Sequence, residues 1–271
     1  MLIFESSSKG RSAAAQYEKS VIVEDIPEMH LRKDDTGLPE VSELQVIRHF
    51  TNLSKKNFSI DGQFYPLGSC TMKYNPRGAH QAARFPGFLN RHPLSSESKS
   101  QGFLTCIFEL QEYLRDLTGM QAVSLTPMAG AQGELAGVAM IRAYHELKGD
   151  SNRSEILIPN AAHGTNPASA VMVGMKVVGV SCDDEGNIDL EDFKSKISQY
   201  SDSLSAAMVT YPSTHGVFEH EIKEICSLVH DNGGQVYMDG ANMNAMVGLC
   251  RPADIGADVC HLNLHKTFCI P

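Results

Sequence analysis

Gln235-Val236-Tyr237-Met238-Asp239, followed at once by Gly240-Ala241-Asn242, decides how this chain reads. A short apolar run that ends on an acid and then on turn residues is the pattern of a buried parallel strand opening into a loop. A second run, Asp258-Val259-Cys260-His261-Leu262-Asn263-Leu264-His265, leads in the same way to Lys266. Open α/β sheets bind ligands at this carboxyl edge. An acid beside one strand end and a lysine beside a later one suit pyridoxal phosphate. The lysine forms a Schiff base with the cofactor aldehyde, and the acid holds the pyridinium nitrogen protonated. Taken singly, each residue also has an ordinary reading: Asp before Gly is a turn former, and Lys after a strand is a solvated loop residue.

Working outward, strands and helices alternate on the amino-terminal side of this pair. Phe103, Ile107, Leu110, Leu114 and Leu117 recur at three- and four-residue steps, with Gly119 as the stop. A second helix spans about 131–147. Strands are expected over 155–159, 176–181, 206–211, 235–238 and 258–262, with helices over 167–174, 190–200 and 221–232 between them. This order implies βαβ units and an α/β fold, with a mostly parallel sheet flanked by helices. Residues 1–98 differ. They carry Pro27, Pro39, Pro66, Pro76, Pro86 and Pro93 and one helix over about 41–57, with Leu44, Ile47 and Leu53 on its apolar stripe. They read as an extended arm before a large domain over 99–271.

Composition narrows the classes. The 271 residues are 42% hydrophobic and 20% charged, as in an ordinary globular protein. A net charge of -9 with no basic stripe argues against nucleic acid as a partner. No run approaches the roughly 18 apolar residues of a membrane span, and the start lacks a signal-peptide core. The seven cysteines form no CxxC pair, so no metal site is expected, and a reducing cytoplasm fits.

Other segments add to the pair at the sheet edge. Thr126-Pro127-Met128-Ala129-Gly130-Ala131-Gln132-Gly133-Glu134 is expected to join a strand to a helix. Its small residues let backbone N–H groups approach an anion at the helix N-terminus, so Gly130, Ala131 and Gln132 are candidates for holding a phosphate. A tight turn is the plainer reading. Ala162-His163-Gly164-Thr165-Asn166-Pro167 follows a strand; His163 could lay its ring on a cofactor ring, while Asn166 before Pro167 suits a helix N-cap. Thr210-Tyr211-Pro212-Ser213-Thr214-His215-Gly216 follows another strand, and Thr214 and His215 could reach a substrate carboxylate or the ring. Ala241 and His265 flank the acid and the lysine. A lysine attacks a carbonyl only when neutral, which burial or a nearby cation favours. An NAD-binding fingerprint and a P-loop are both missing from the sequence.

Longer strings carry a resemblance. Tyr65-Pro66-Leu67-Gly68-Ser69-Cys70-Thr71-Met72-Lys73-Tyr74-Asn75-Pro76 resembles the N-terminal motif of the P-protein family of the glycine cleavage system, the glycine decarboxylases. Residues 128–134, 162–170 (AHGTNPASA), 210–219 (TYPSTHGVFE), 239–245 (DGANMNA) and 263–271 (NLHKTFCIP) are similar to other parts of it, from about residue 4 to the end. The opening resembles the second subunit in organisms that divide the enzyme into two chains. The resemblance implies the type I fold of pyridoxal-phosphate enzymes. It implies the Schiff base on Lys266, Asp239 at the pyridinium nitrogen, His163 on the ring and Gly130-Ala131-Gln132 at the phosphate. Ser69, Cys70, Thr71 and Lys73 would lie near the site mouth. The implied reaction is decarboxylation of glycine, with transfer of the aminomethyl group to the lipoyl group of H-protein, in a heterotetramer with subunit 1. The family continues beyond the lysine into a glycine-rich loop and a C-terminal domain, whereas this sequence stops five residues past Lys266, at Pro271. Two alternatives stay open: another type I enzyme, such as an amino-acid decarboxylase or aminotransferase, and a truncated scaffold without catalysis.

Overall fold

The computed structural model describes residues 2–13, 26–63 and 74–268. The chain divides into two compact units, Met1–Gly68 and Ser69–Pro271. The first is built on α1 (Glu43–Ser54), where Ser42 accepts from Gln45 N–H and the Gln45 side chain reaches back to the Ser42 N–H. Its stripe of Leu44, Ile47, Phe50 and Leu53 is exposed.

The second unit opens with two short helices that the proline-rich sequence had hidden, α2 (Arg77–Ala82) and α3 (Pro86–Leu89). Pro76 caps one and Pro86 starts the other, positions where a missing N–H costs no helical hydrogen bond. Then come α4 (Gln101–Thr118), closed by Gly119 at φ 71, and α5 (Gly130–Lys148). The alternating part follows: β1 (Glu155–Pro159), α6 (Thr165–Met172), β2 (Lys176–Val180), α7 (Leu190–Tyr200), β3 (Leu204–Thr210), α8 (Ile222–Asp231), β4 (Gln235–Gly240), α9 (Pro252–Ile255), β5 (Val259–Leu262) and α10 (Leu264–Thr267). The five strands are all parallel, in the order β2-β1-β3-β4-β5.

Both faces of the sheet are covered, which is why its central strands read as unbroken apolar runs. Strand alternation sends Ile156 and Ile158 to one face, against Val138 and Ile141 of α5 and Ala170 of α6. Leu157 goes to the other, against Phe193 and Ile197 of α7 and Ile225 and Val229 of α8. Each fully buried side chain of this size contributes about 1.5–3 kcal/mol relative to exposure.

Two local expectations are corrected. The strand expected ahead of the 126–134 segment does not form: residues 121–125, which precede it, lie outside the five-stranded sheet. The Val123 carbonyl takes its hydrogen bond from the Gln111 side chain at 2.6 Å, not from a neighbouring strand. The helix expected to begin at Pro167 begins at Thr165, with Gly164 at the N-cap. Asn166 is therefore no cap: its N–H already donates to the His163 carbonyl inside the turn, and its side chain is fully buried.

Candidate functional site

The order in which strands are added reverses between β1 and β3, since β2 lies outside β1 while β3, β4 and β5 extend the other way. Connections leave opposite faces at such a point, and a crevice opens beyond the carboxyl ends of the strands. The residues singled out from sequence gather along this edge. His163 and Thr165 follow β1, Thr210 ends β3, Asp239 lies near the end of β4, and Lys266 is in the turn of α10 after β5. The Thr214 hydroxyl donates to the Ala161 carbonyl, joining the loops that leave β3 and β1. The Asn166 side chain reaches Thr210 Oγ1 at 3.5 Å.

Asp239 is 3% exposed. Its Oδ1 accepts from Ala241 N–H at 3.0 Å, and its Oδ2 lies 3.4 Å from the Thr210 hydroxyl. The parallel register sets it opposite His261 of β5. His261 Nε2 lies 3.3 Å from Asp239 Oδ1 and 3.8 Å from Glu134 Oε1, but is aligned for a hydrogen bond with neither. Burial lowers the basicity of His261; the Asp239 and Glu134 charges oppose this, and Lys266 adds to it. Lys266 is half-buried, and its backbone N–H donates to the Asn263 carbonyl at 2.9 Å.

Glu134, in the first turns of α5, was not singled out from sequence, yet it is 5% exposed and central. It accepts from the Thr165 hydroxyl at 2.8 Å and the Ser169 hydroxyl at 3.2 Å. Thr165 Oγ1 also lies 2.8 Å from His163 Nδ1, so the exposed His163 ring is tethered to Glu134 through one hydroxyl. Tyr237 and His261 were missed too. The signal was available: a histidine and a tyrosine inside strand runs, and a glutamate inside an Ala/Gly-rich helix, are polar groups that burial forces to find partners.

Gly130, Ala131 and Gln132 form the first turn of α5, and Gln132 Oε1 accepts from Met128 N–H at 2.7 Å. A Cβ on Gly130 would stand 2.7 Å from Asn263 Oδ1, so the helix start and the loop after β5 approach as closely as they do only because the side chain is missing. Thr214 and His215 are exposed in the loop after β3, and His265 is half-buried beside Lys266. Ser69, Cys70, Thr71 and Lys73 lie outside the described residues. Glu134, Asp239 and His261 present ligand-type atoms within 4.8 Å of one another. Among the described residues, no helix is long and apolar enough to cross a membrane.

The family model for the glycine cleavage system P-protein matches residues 15–271. A probable glycine dehydrogenase (decarboxylating) subunit 2 of Legionella pneumophila is 60% identical over 272 residues, covering 100% of this chain and 56% of that protein. Its counterpart in Nitrosospira multiformis is 58% identical over 271 residues, covering 100% of this chain and 54% of that one. The chain therefore spans about half the length of the curated relatives it matches. Among solved structures, an inhibitor-bound glycine decarboxylase (P-protein) superposes with TM-score 0.68 at 20% identity, over 89% of this chain and 52% of that one. A SepCysS–SepCysE N-terminal domain complex gives TM-score 0.59 at 16% identity, over 83% and 57%. The likeness to these solved structures carries the fold, and the long match in sequence carries the kinship: the chain belongs to the glycine cleavage system P-protein family.

Proposed function

We propose that the edge of the sheet holds pyridoxal phosphate and that the chain forms the cofactor-bearing part of a glycine-decarboxylating subunit. The observation that carries this reading is Asp239. It is a buried carboxyl group oriented by a backbone N–H and a hydroxyl at a strand end, with Lys266 one short turn beyond the neighbouring strand. The donor set fits the cofactor. Asn166 Oδ1 and Asn263 Oδ1 are buried without a hydrogen-bond partner among the described residues, and both belong to this edge. Buried polar atoms are rarely left so unless a ligand or water completes them.

When bound, pyridoxal phosphate supplies a ring that accepts the electron pair left on the glycine α-carbon as carbon dioxide departs. Lys266 would hold the cofactor through Nζ and yield that place to the glycine amine. Asp239 would keep a proton on the ring nitrogen. His163, fixed through Thr165 to Glu134, would cover one face of the ring and limit how the glycine carboxylate is presented. Gly130, Ala131 and Gln132 would offer N–H groups at the start of α5 to the phosphate. Ala241 and His265 would border the ring, and Thr214 and His215 the carboxylate. By the family resemblance, Ser69, Cys70, Thr71 and Lys73, which lie outside the described residues, would serve substrate binding. Lipoylated H-protein would take the aminomethyl group, and subunit 1 would complete a heterotetramer.

The test is covalent trapping. The chain is incubated with pyridoxal phosphate, reduced with borohydride and digested, and the labelled peptide is located by mass spectrometry. The label is expected on Lys266, with none after Lys266→Ala; reduction onto a different lysine would refute the assignment. Carbon exchange between glycine and bicarbonate in the assembled enzyme tests the substrate. Transamination without exchange would point to another reaction of the same fold.

A further inference from the structure

We propose that Tyr237 and His261 form a buried positioning pair for Asp239: the Tyr237 hydroxyl donates to His261 Nδ1 and thereby holds the imidazole proton on Nε2, facing the carboxyl groups of Asp239 and Glu134. Tyr237 is fully buried and His261 is 6% exposed. The Tyr237 oxygen lies 2.8 Å from His261 Nδ1 and has no other hydrogen-bond partner among the described residues. Burial raises the Tyr237 pKa far above its ordinary value, so the hydroxyl keeps its proton. If Nδ1 carried the imidazole proton, the tyrosine hydrogen would have no acceptor, and the bare Nε2 lone pair would face two carboxyl groups at 3.3 and 3.8 Å. With the proton on Nε2, both conflicts vanish.

The backbone imposes this arrangement. Strand alternation puts Tyr237 and Asp239 on the same face of β4, and the register sets His261 opposite Asp239. Helix α5 crosses that face, with Gly137 against the Tyr237 ring. The titratable groups around His261 are Glu134 from α5, Tyr237 and Asp239 from β4, Cys260 beside it and Lys266 from α10. Burial pushes the Cys260 thiol up to about 12, so it is a neutral neighbour. Burial disfavours a second proton on His261, against the pull of Asp239 and Glu134. His261 then places a polar N–H edge 3.3 Å from Asp239 Oδ1, a close electrostatic contact rather than an aligned hydrogen bond, on the side of the carboxyl group that Ala241 and Thr210 leave open.

The pair itself follows from the geometry; its service to a bound cofactor rests on the reading of the site given above. Two measurements separate them. In the full chain labelled with nitrogen-15 histidine, two-bond proton–nitrogen spectra report the tautomer of each ring, and the His261 signals are identified by their loss in His261→Gln. The expected result is a neutral ring with its proton on Nε2 at pH 7–8, and a tautomer mixture in Tyr237→Phe. A proton on Nδ1, a doubly protonated ring at pH 7, or a divalent ion copurifying on these side chains would overturn the pair. In the second measurement, pyridoxal phosphate binding is titrated by absorbance. His261→Leu should weaken it about tenfold, the scale of removing a polar neighbour from a buried carboxyl group, and His261→Gln, which keeps an N–H group there, should restore most of it. Equal binding by wild type and His261→Leu, or equal loss in both variants, would overturn the positioning role. A wild-type chain that shows the expected tautomer but takes up no cofactor would instead sink the cofactor reading.

Discussion

Replacing Gly137 with alanine tests how α5 is held against the sheet. An added Cβ would stand 2.4 Å from Tyr237 Cε2 and 2.8 Å from Val259 Cγ1. Carbon atoms pack at about 3.5–4.0 Å, so the helix must retreat by about 1 Å or the ring must turn. The ring cannot turn freely, because Tyr237 is fully buried and its hydroxyl bonds His261 at 2.8 Å. Two effects oppose each other. Alanine is better than glycine inside a helix by about 1 kcal/mol, while overpacking a tight core costs about 1–3 kcal/mol. With contacts on fully buried Tyr237 and half-buried Val259 the steric cost wins, and a net loss of up to about 2 kcal/mol is expected. Gly102→Ala, in α4 with nothing within 4 Å of the added Cβ, should be neutral or more stable by up to about 1 kcal/mol. Urea unfolding followed by circular dichroism compares the two midpoints. A Gly137→Ala midpoint at or above wild type would refute the close approach of α5 to Tyr237.

Phe193→Ala should cost about 3–5 kcal/mol in the same urea assay, since the ring is fully buried between α7 and the sheet; a loss under about 1 kcal/mol would contradict that packing. Asp192 is held below its ordinary carboxyl range by the Lys196 ammonium at 2.6 Å and the Ser181 N–H at 2.8 Å. Its folded pKa lies below the unfolded value, so its contribution is present above about 3.8 and fades as pH falls through the folded pKa. Asp192→Asn should therefore be less stable at pH 7 and converge on wild type at low pH; a constant difference across pH 2–7 would refute this. In the loaded enzyme, Asp239→Asn should keep borohydride trapping on Lys266 yet slow glycine–bicarbonate exchange at least about tenfold, as expected when a charged hydrogen bond is lost. Unchanged exchange would remove Asp239 from the ring nitrogen.

Periodicity alone located the elements well where the apolar pattern ran for several residues. Strand β1 and helix α7 have the bounds that the pattern indicates, because Glu155–Pro159 is buried throughout and Leu190–Tyr200 has a capping aspartate and a clear two-sided face. The pattern failed where composition masked the local signal. Residues 1–98 read as an extended arm with one helix, although Pro76 caps a second short helix and Pro86 starts a third. A strand was expected ahead of the 126–134 turn, although no neighbouring strand pairs with the residues there. Asn166 looked like a cap because a proline follows it, but the turn had already formed one step earlier around His163.

What the sequence determined by itself was the order of parallel strands and helices, together with the acid and the lysine beside two strand ends. Those depend on short-range pattern, since burial on both faces demands an apolar run and a ligand edge demands polar residues just past it. Tertiary structure alone decided which side chains share that edge. Tyr237, His261 and Glu134 come from two strands and a helix far apart in sequence, and only the sheet register and the crossing of α5 bring them together. Hydrogen bonds and charges act over a few ångströms of space, whatever the separation along the chain, so no local spacing could have announced them.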